Sequence, residues 1–399
     1  MRSVELFAGA GGLAIGMANA GFQHAAVIEW NHDACETFRE NQRHHTHAVD
    51  GWPVHEVDAR GFDFTTLTAD IAVVSGGPPC QPFSMGGKHQ AQRDDRNMFP
   101  EAVRAVRELM PKAFIFENVK GLTRESFIPY FSYINLQLQY PDLSRRRGEN
   151  WIQHRARLEQ HHSANNGAAT YNVLVDVLNA ADFGVPQKRE RVFFVGFRSD
   201  IGAHWSFPEK THSEDVLLIS KWIDGTYWDE HQISRKYRGE APHRHAKRLE
   251  RLRAEPSFLE LARWRTTRDA LRNLPDPEIF RGNAIANHVF TPGARTYVGH
   301  TGSLLDEPAK TLKAGYHGVP GGENMFVKDD GTVRYFTVRE AARLQTFPDE
   351  YEFHGSWSQT MRQLGNAVPV RLAEVVAASV AASLAACENN AGNNICPIA

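Results

Sequence analysis

The first thirty residues restrict the fold more than any other stretch. Val4-Glu5-Leu6-Phe7 reads as a strand, Ala8-Gly9-Ala10-Gly11-Gly12 as a glycine turn, and Leu13 to Ala20 as a helix ended by Gly21. Ala25-Ala26-Val27-Ile28 reads as a second strand, closed by Glu29-Trp30. A strand, a tight turn, a helix and a strand in this order build an α/β sheet. Gly9, Gly11 and Ala14 fit the fingerprint G-x-G-x-x-G/A, with an acidic residue at the tip of the second strand. Alone, this fit serves NAD, FAD or S-adenosylmethionine equally. In each case glycines allow close backbone approach and a carboxylate takes ribose hydroxyls.

A second strand-end loop carries the chemistry. Ile71-Ala72-Val73-Val74 is an apolar run of buried-strand type, followed by Ser75-Gly76-Gly77-Pro78-Pro79-Cys80-Gln81-Pro82-Phe83-Ser84. Two glycines and three prolines exclude regular structure there. Ligands of open α/β sheets bind outside the carboxyl ends of strands, so a thiol on this stiff loop is a candidate nucleophile. A lone cysteine more commonly packs as a small inert hydrophobe. Flanking prolines, which fix the backbone without filling a core, favour the nucleophile. Ala113-Phe114-Ile115-Phe116 is a further buried strand, and Glu117-Asn118-Val119 puts a carboxylate on the same sheet edge. Gln187-Lys188-Arg189-Glu190-Arg191 leads into the strand Val192 to Phe197. Its two arginines at strand spacing share a face; paired surface ion bridges are the plainer alternative.

The chain has 399 residues, 42% hydrophobic and 23% charged, enough for two domains. No stretch reads as long and apolar enough to span a bilayer, and no signal peptide is visible. Cys35, Cys80, Cys387 and Cys396 have neither metal nor disulfide spacing, which points to a reducing cytoplasm. Net charge is −2, yet basic residues cluster from Arg235 to Arg272 and at Arg145, Arg146, Arg147, Arg155 and Arg157. Local basic surface on a near-neutral chain suits a polyanion held in one cleft; a solvated helix face is the alternative.

Gly-Pro-Pro-Cys-Gln-Pro-Phe-Ser resembles the catalytic loop of the DNA (cytosine-5) methyltransferases, and further motifs follow in that family's order. The resemblance implies an S-adenosylmethionine-dependent, Rossmann-like α/β large domain with a smaller, irregular target-recognition domain. It implies Cys80 as nucleophile at cytosine carbon 6, Glu117 as the acid at ring N3, Arg191 at the cytosine O2, and Arg189 supporting acid and loop. S-adenosyl-L-methionine, leaving as S-adenosyl-L-homocysteine, would be held by Phe7, Ala8, Gly9, Gly11, Gly12, Leu13, Glu29, Trp30, Asp58, Ala59, Pro79, Met98, Asn366 and Ala367. No metal is expected. Duplex DNA would be met by Gln81, Ser84, Gly86 and Lys88 of the loop, and by Lys310, Thr311, Leu312 and Lys313 near a Thr-Leu recognition dipeptide. The target base must be flipped out of the stack for these groups to reach it.

The expected division is residues 1–197 completed by 359–399 for catalysis and cofactor, and 198–358 for target recognition. The latter includes a helix near 337–346 opened by a capping Thr337. By the resemblance, an alanine-rich helix through Ala386 would close the cofactor site, and a disordered tail is expected from Glu388. Residues 121–170 look like an insertion. A monomer is expected, with no membrane and a restriction endonuclease as functional partner. An RNA methyltransferase of the same fold, an inactive DNA-binding homologue and a Rossmann oxidoreductase are the competing readings.

Overall fold

The computed structural model describes residues 1–67, 69–79, 97–254, 260–280, 284–315 and 324–393, with backbone alone for the last four. Cys80, Gln81, Ser84, Gly86 and Lys88 lie outside the described residues. The chain divides into a large unit (residues 1–178, 190–208 and 347–399) and a small one (179–189 and 209–346). This spatial division assigns 179–189 to the small unit and 347–358 to the large one, so neither expected boundary coincides with it.

The large unit is built on a seven-stranded sheet. Its strands are β1 (Arg2–Leu6), β2 (Gln23–Glu29), β3 (Val54–Glu56), β4 (Ile71–Gly76), β5 (Ala113–Val119), β6 (Tyr171–Asn179) and β7 (Glu190–Arg198). Their order is β3-β2-β1-β4-β5-β7-β6, with β1 to β5 mutually parallel and β7 antiparallel to β5. All six residues of β4 are buried, as expected for a strand covered on both faces. The helices α1 (Gly12–Asn19), α2 (His32–Arg43), α3 (Phe99–Leu109), α4 (Ile128–Gln139) and α5 (Trp151–Ala164) follow in chain order. Phe99 and Val106 of α3 and Ile134 of α4 share one core with Leu6, Val74, Phe114, Phe116 and Phe194.

Two features fix the glycine turn. Gly11 has φ 88, and a Cβ there would meet Phe38 at 2.7 Å, so no other residue fits without strain. The end of the chain then returns to α1. A Cβ on Gly12 would lie 2.1 Å from the Val368 carbonyl, and one on Gly16 would lie 2.4 Å from the Ala373 Cβ. The Tyr351 hydroxyl donates to the Ala10 carbonyl at 2.8 Å. The final helix, Val370–Asn393, therefore packs on α1 at backbone distance. It continues five residues beyond the point where the tail was expected to begin. Contrary to the sequence reading, one stretch, Trp357–Asn389, is long and apolar enough to cross a bilayer by length and composition, a test that a core helix also passes. Alanines raise its apolarity, and Leu372, Ala373, Val376, Ala377 and Val380 are buried in the large unit.

Between β1 and β4, Glu5 is buried and accepts a hydrogen bond from the Ser75 hydroxyl. Burial pushes its carboxyl up to about 8, against a slight lowering by Ser75. Between pH 4.5 and about 8 the native state therefore holds one proton that the unfolded chain has lost. Stability should fall as pH rises through this window, by about 1.4 kcal/mol per unit for this group. In Glu5→Gln that component disappears, so denaturant midpoints measured across the window should decline less than in the parent. Parallel pH profiles would show that Glu5 ionises normally.

The small unit holds short elements around a three-stranded sheet of Ser303–Leu304, Met325–Val327 and Val333–Tyr335. Its helix Val338–Leu344 opens with Thr337 in a capping box with Glu340, as its sequence predicts. The arginine-rich run from Arg235 to Arg272 is partly neutralised inside the unit. Arg238 pairs with Asp229, Arg248 with Glu214 and Asp215, Arg263 with Asp269 and Glu230, and Arg268 with Asp306 and Asp329. Those four arginines are structural. Glu230, His231 and Asp269 converge as metal ligands might be arranged to do, but Arg263 and His231 occupy the Asp269 carboxylate.

Candidate active site

The site is assembled at the carboxyl ends of β1, β2, β4 and β5. β1 gives way to the glycine turn through Phe7, whose φ is 55. Glu29, at the tip of β2, is 6% exposed. Its carboxylate accepts from the Gly9 N–H at 2.7 Å, from the Trp30 N–H at 2.9 Å and from the Asn31 N–H at 2.7 Å. Burial raises its pKa, against the lowering effect of these donors. A carboxylate offers about four acceptor positions, so one more remains for a ligand hydroxyl. Glu29 thus latches the turn. Trp30 beside it is 70% exposed, a flat apolar face presented outward at the sheet edge.

Asp58 caps the turn Ala59–Gly61 and is gripped by the Arg60 guanidinium, which lowers its pKa. Ala59 and Leu13 are buried beneath this edge. Asn366 is exposed and Ala367 buried at the end of the helix Trp357–Asn366, just before Val368 meets Gly12. Met98 caps α3, and its N–H donates to the Pro79 carbonyl at 3.1 Å.

The reacting edge is organised by Glu117. A Cβ on Gly77 would lie 3.3 Å from its Oε2, and the neighbouring Asn118 amide donates to the Pro78 carbonyl at 2.8 Å. The end of β5 is thereby stitched to the turn that leads into Cys80. Sequence reasoning gave Asn118 no role; its position directly after the acid was the available signal. Glu117 Oε1 lies 2.7 Å from Arg191 Nε, with both side chains close to fully buried. The antiparallel register explains the pair. Glu117 stands opposite Phe193 and Val119 opposite Arg191, so acid and guanidinium are diagonal neighbours on one face. Burial lowers the pKa of Arg191, and Glu117 raises it in opposition.

Arg191 holds the acid. Arg189 is fully buried in the small unit, where it donates to the Leu312 carbonyl at 3.1 Å. Gln187, missed in the sequence, accepts from the Leu312 N–H, and the Thr311 hydroxyl donates to the Lys188 carbonyl. Leu312 is itself buried, so it supports this segment rather than facing a partner. Lys310 reaches the Thr301 hydroxyl, and Lys313 is exposed. Of the described cysteines, Cys35 is buried and its thiol is pushed up to about 12, a poor nucleophile.

A parallel sheet with one reversed strand, a glycine turn latched by an acidic strand tip, and a buried carboxylate–guanidinium pair define a methyltransferase-type α/β enzyme. The sequence pattern of the C-5 cytosine-specific DNA methylases matches residues 1–140 and 158–382. The type II methyltransferase M.PspPI of Psychrobacter sp. is 31% identical over 381 residues, covering 94% of this chain and 78% of that protein. M.NgoMIV of Neisseria gonorrhoeae is 29% identical over 391 residues, 96% of this chain and 97% of that one. A crystal structure of a prophage-encoded Escherichia coli DNA modification methyltransferase has the same fold, with TM-score 0.57 at 21% identity over 96% and 99% of the two chains. The S. pombe Dnmt2 methyltransferase superposes with TM-score 0.54 at 17% identity over 97% and 99%. The chain belongs to the C-5 cytosine-specific DNA methylase family and is a DNA (cytosine-5) methyltransferase.

Proposed function

We propose that the protein methylates carbon 5 of one cytosine within a specific duplex DNA sequence, as the modification partner of a restriction endonuclease in the cytoplasm. The observation that carries the mechanism is the buried Glu117–Arg191 pair beside the turn that leads into Cys80. The glycine turn, Glu29 and the outward Trp30 fit a nucleoside-bearing donor. Gly9 and Gly11 allow close approach, Glu29 offers an acceptor to ribose hydroxyls, and Trp30 offers a stacking face. Bound there, S-adenosylmethionine supplies an electrophilic methyl group.

The chain's own residues do the rest. Cytosine carbon 5 is a weak nucleophile. The Cys80 thiolate adds to carbon 6, and the ring electrons shift toward carbon 5 and N3. Glu117, ionised against Arg191 at rest, takes up the proton given up by the Cys80 thiol and passes it to N3, so no anion accumulates on the ring. Arg191 orients Glu117 and supplies N–H donors to O2, an electrostatic role. After carbon 5 is alkylated, a base removes its proton, the carbon–sulfur bond breaks, Cys80 leaves as thiolate and N3 returns its proton. The extrahelical cytosine this requires costs about a few kcal/mol of unstacking. The small unit is assigned sequence choice, with Lys310 and Lys313 as phosphate or base contacts.

Labelled S-adenosylmethionine, offered with duplex DNA or with tRNA, tests this. Methyl should enter the duplex, and sequencing of converted cytosines should reveal one recurrent site. Transfer to tRNA alone would replace the proposal with the RNA reading.

A further inference from the structure

The family pattern leaves out residues 141–157, and that gap holds a built element. α4 begins nine residues after β5 ends, at the sheet edge that carries Glu117. α5 runs parallel to it: Trp151 meets Tyr130 edge to face, His154 bonds the Tyr133 hydroxyl at 2.8 Å, and His162 bonds the Tyr140 hydroxyl at 2.7 Å. The start of α5 is therefore brought back to the reacting edge, where Arg155 also donates to the Pro129 carbonyl. Tyr130 is in turn hydrogen-bonded by the Asn97 amide, one residue before Met98, which binds Pro79.

The turn before α5 is braced throughout. His154 Nε2 meets the Leu143 carbonyl at 2.7 Å, and Arg157 donates to the Ser144 carbonyl and pairs with Glu149. Glu149 accepts from the Arg146 N–H at 2.8 Å. On this turn Arg145, Arg146 and Arg147 are all exposed, and their guanidiniums have no ion-pair partner among the described residues. Arg238, Arg248, Arg263 and Arg268 of the small unit, by contrast, each have a carboxylate partner. Three adjacent cations repel one another, and a rigid support that gives them no counter-ion suits an external polyanion.

We propose that Arg145, Arg146 and Arg147 form a phosphate clamp that grips duplex DNA beside the flipped cytosine, outside the footprint common to the family. This rests on the DNA methyltransferase reading. Such contacts position the duplex and carry no base information. Their signature is counterion release, a slope of about 0.9 in log affinity against log salt for each phosphate neutralised.

The test uses the full-length enzyme and the Arg145→Ala/Arg146→Ala/Arg147→Ala variant, with duplex DNA carrying the mapped site. The salt slope should shrink by about 2 to 3. KM for DNA should rise, while the methylated site and the melting temperature stay as in the parent. A triple Arg→Lys variant should recover most of the slope, since lysine also neutralises phosphate. An unchanged slope and KM in the alanine variant, with the parent active on DNA, overturns the clamp alone. So does a weakening seen with structured RNA and not with duplex DNA. A parent that methylates no DNA at all overturns the underlying reading instead.

Discussion

Cys80→Ser should bind duplex DNA about as well as the parent and transfer almost no methyl, a loss of about 10⁴-fold or more, as when other covalent nucleophiles are removed. A hydroxyl ionises far less readily than a thiol, and only the ionised form attacks carbon 6. The stiff sequence Pro78-Pro79-Cys80-Gln81-Pro82 should tolerate the one-atom exchange without rearrangement. Duplex DNA carrying 5-fluorocytosine gives a second readout. Fluorine in place of the departing proton blocks release, so the parent should become covalently attached and the serine variant should not. A serine variant with parental turnover would remove Cys80 from the reaction.

Glu117→Gln should be nearly as damaging, for two separable reasons. The amide cannot give N3 a proton, which should lower kcat by about 10²- to 10⁴-fold. It also leaves the Arg191 guanidinium in a mostly buried position without its counter-charge. Breaking a buried pair in this way costs about 3–5 kcal/mol of stability, the upper end applying to full burial. Single-turnover methylation well below the melting transition isolates the chemical loss, and a melting curve reports the other. Parental kcat in a folded Glu117→Gln protein would refute the proton-donor assignment. Loss of melting temperature without loss of kcat would leave Glu117 a merely structural residue.

Most of the large unit could be read from residues because local signals agreed. Apolar runs marked β1, β2, β4 and β5, and the glycine turn set the order of the first two. The capping Thr337 announced the helix Val338–Leu344. What stayed hidden depended on partners distant in sequence. Arg189 and Arg191 look equivalent until the register of β7 on β5 makes Arg191 the diagonal neighbour of Glu117. The arginines of the small unit read as exposed basic surface because their carboxylates come from afar, such as Asp306 and Asp329 for Arg268. α5 was missed because its attachment is polar. Tyrosine–histidine bonds hold it to α4, and Leu158 is its one fully buried aliphatic side chain, so no apolar stripe announced it.

The seating of the last helix on α1 also sets a timetable for synthesis. The strands of the sheet can begin to pair while the nascent chain is still emerging. The seam along Gly12 and Gly16 stays bare until translation has passed Ala373. Competence to methylate is therefore acquired late, and a prematurely terminated product would offer chaperones an uncovered apolar helix rather than a partly working enzyme.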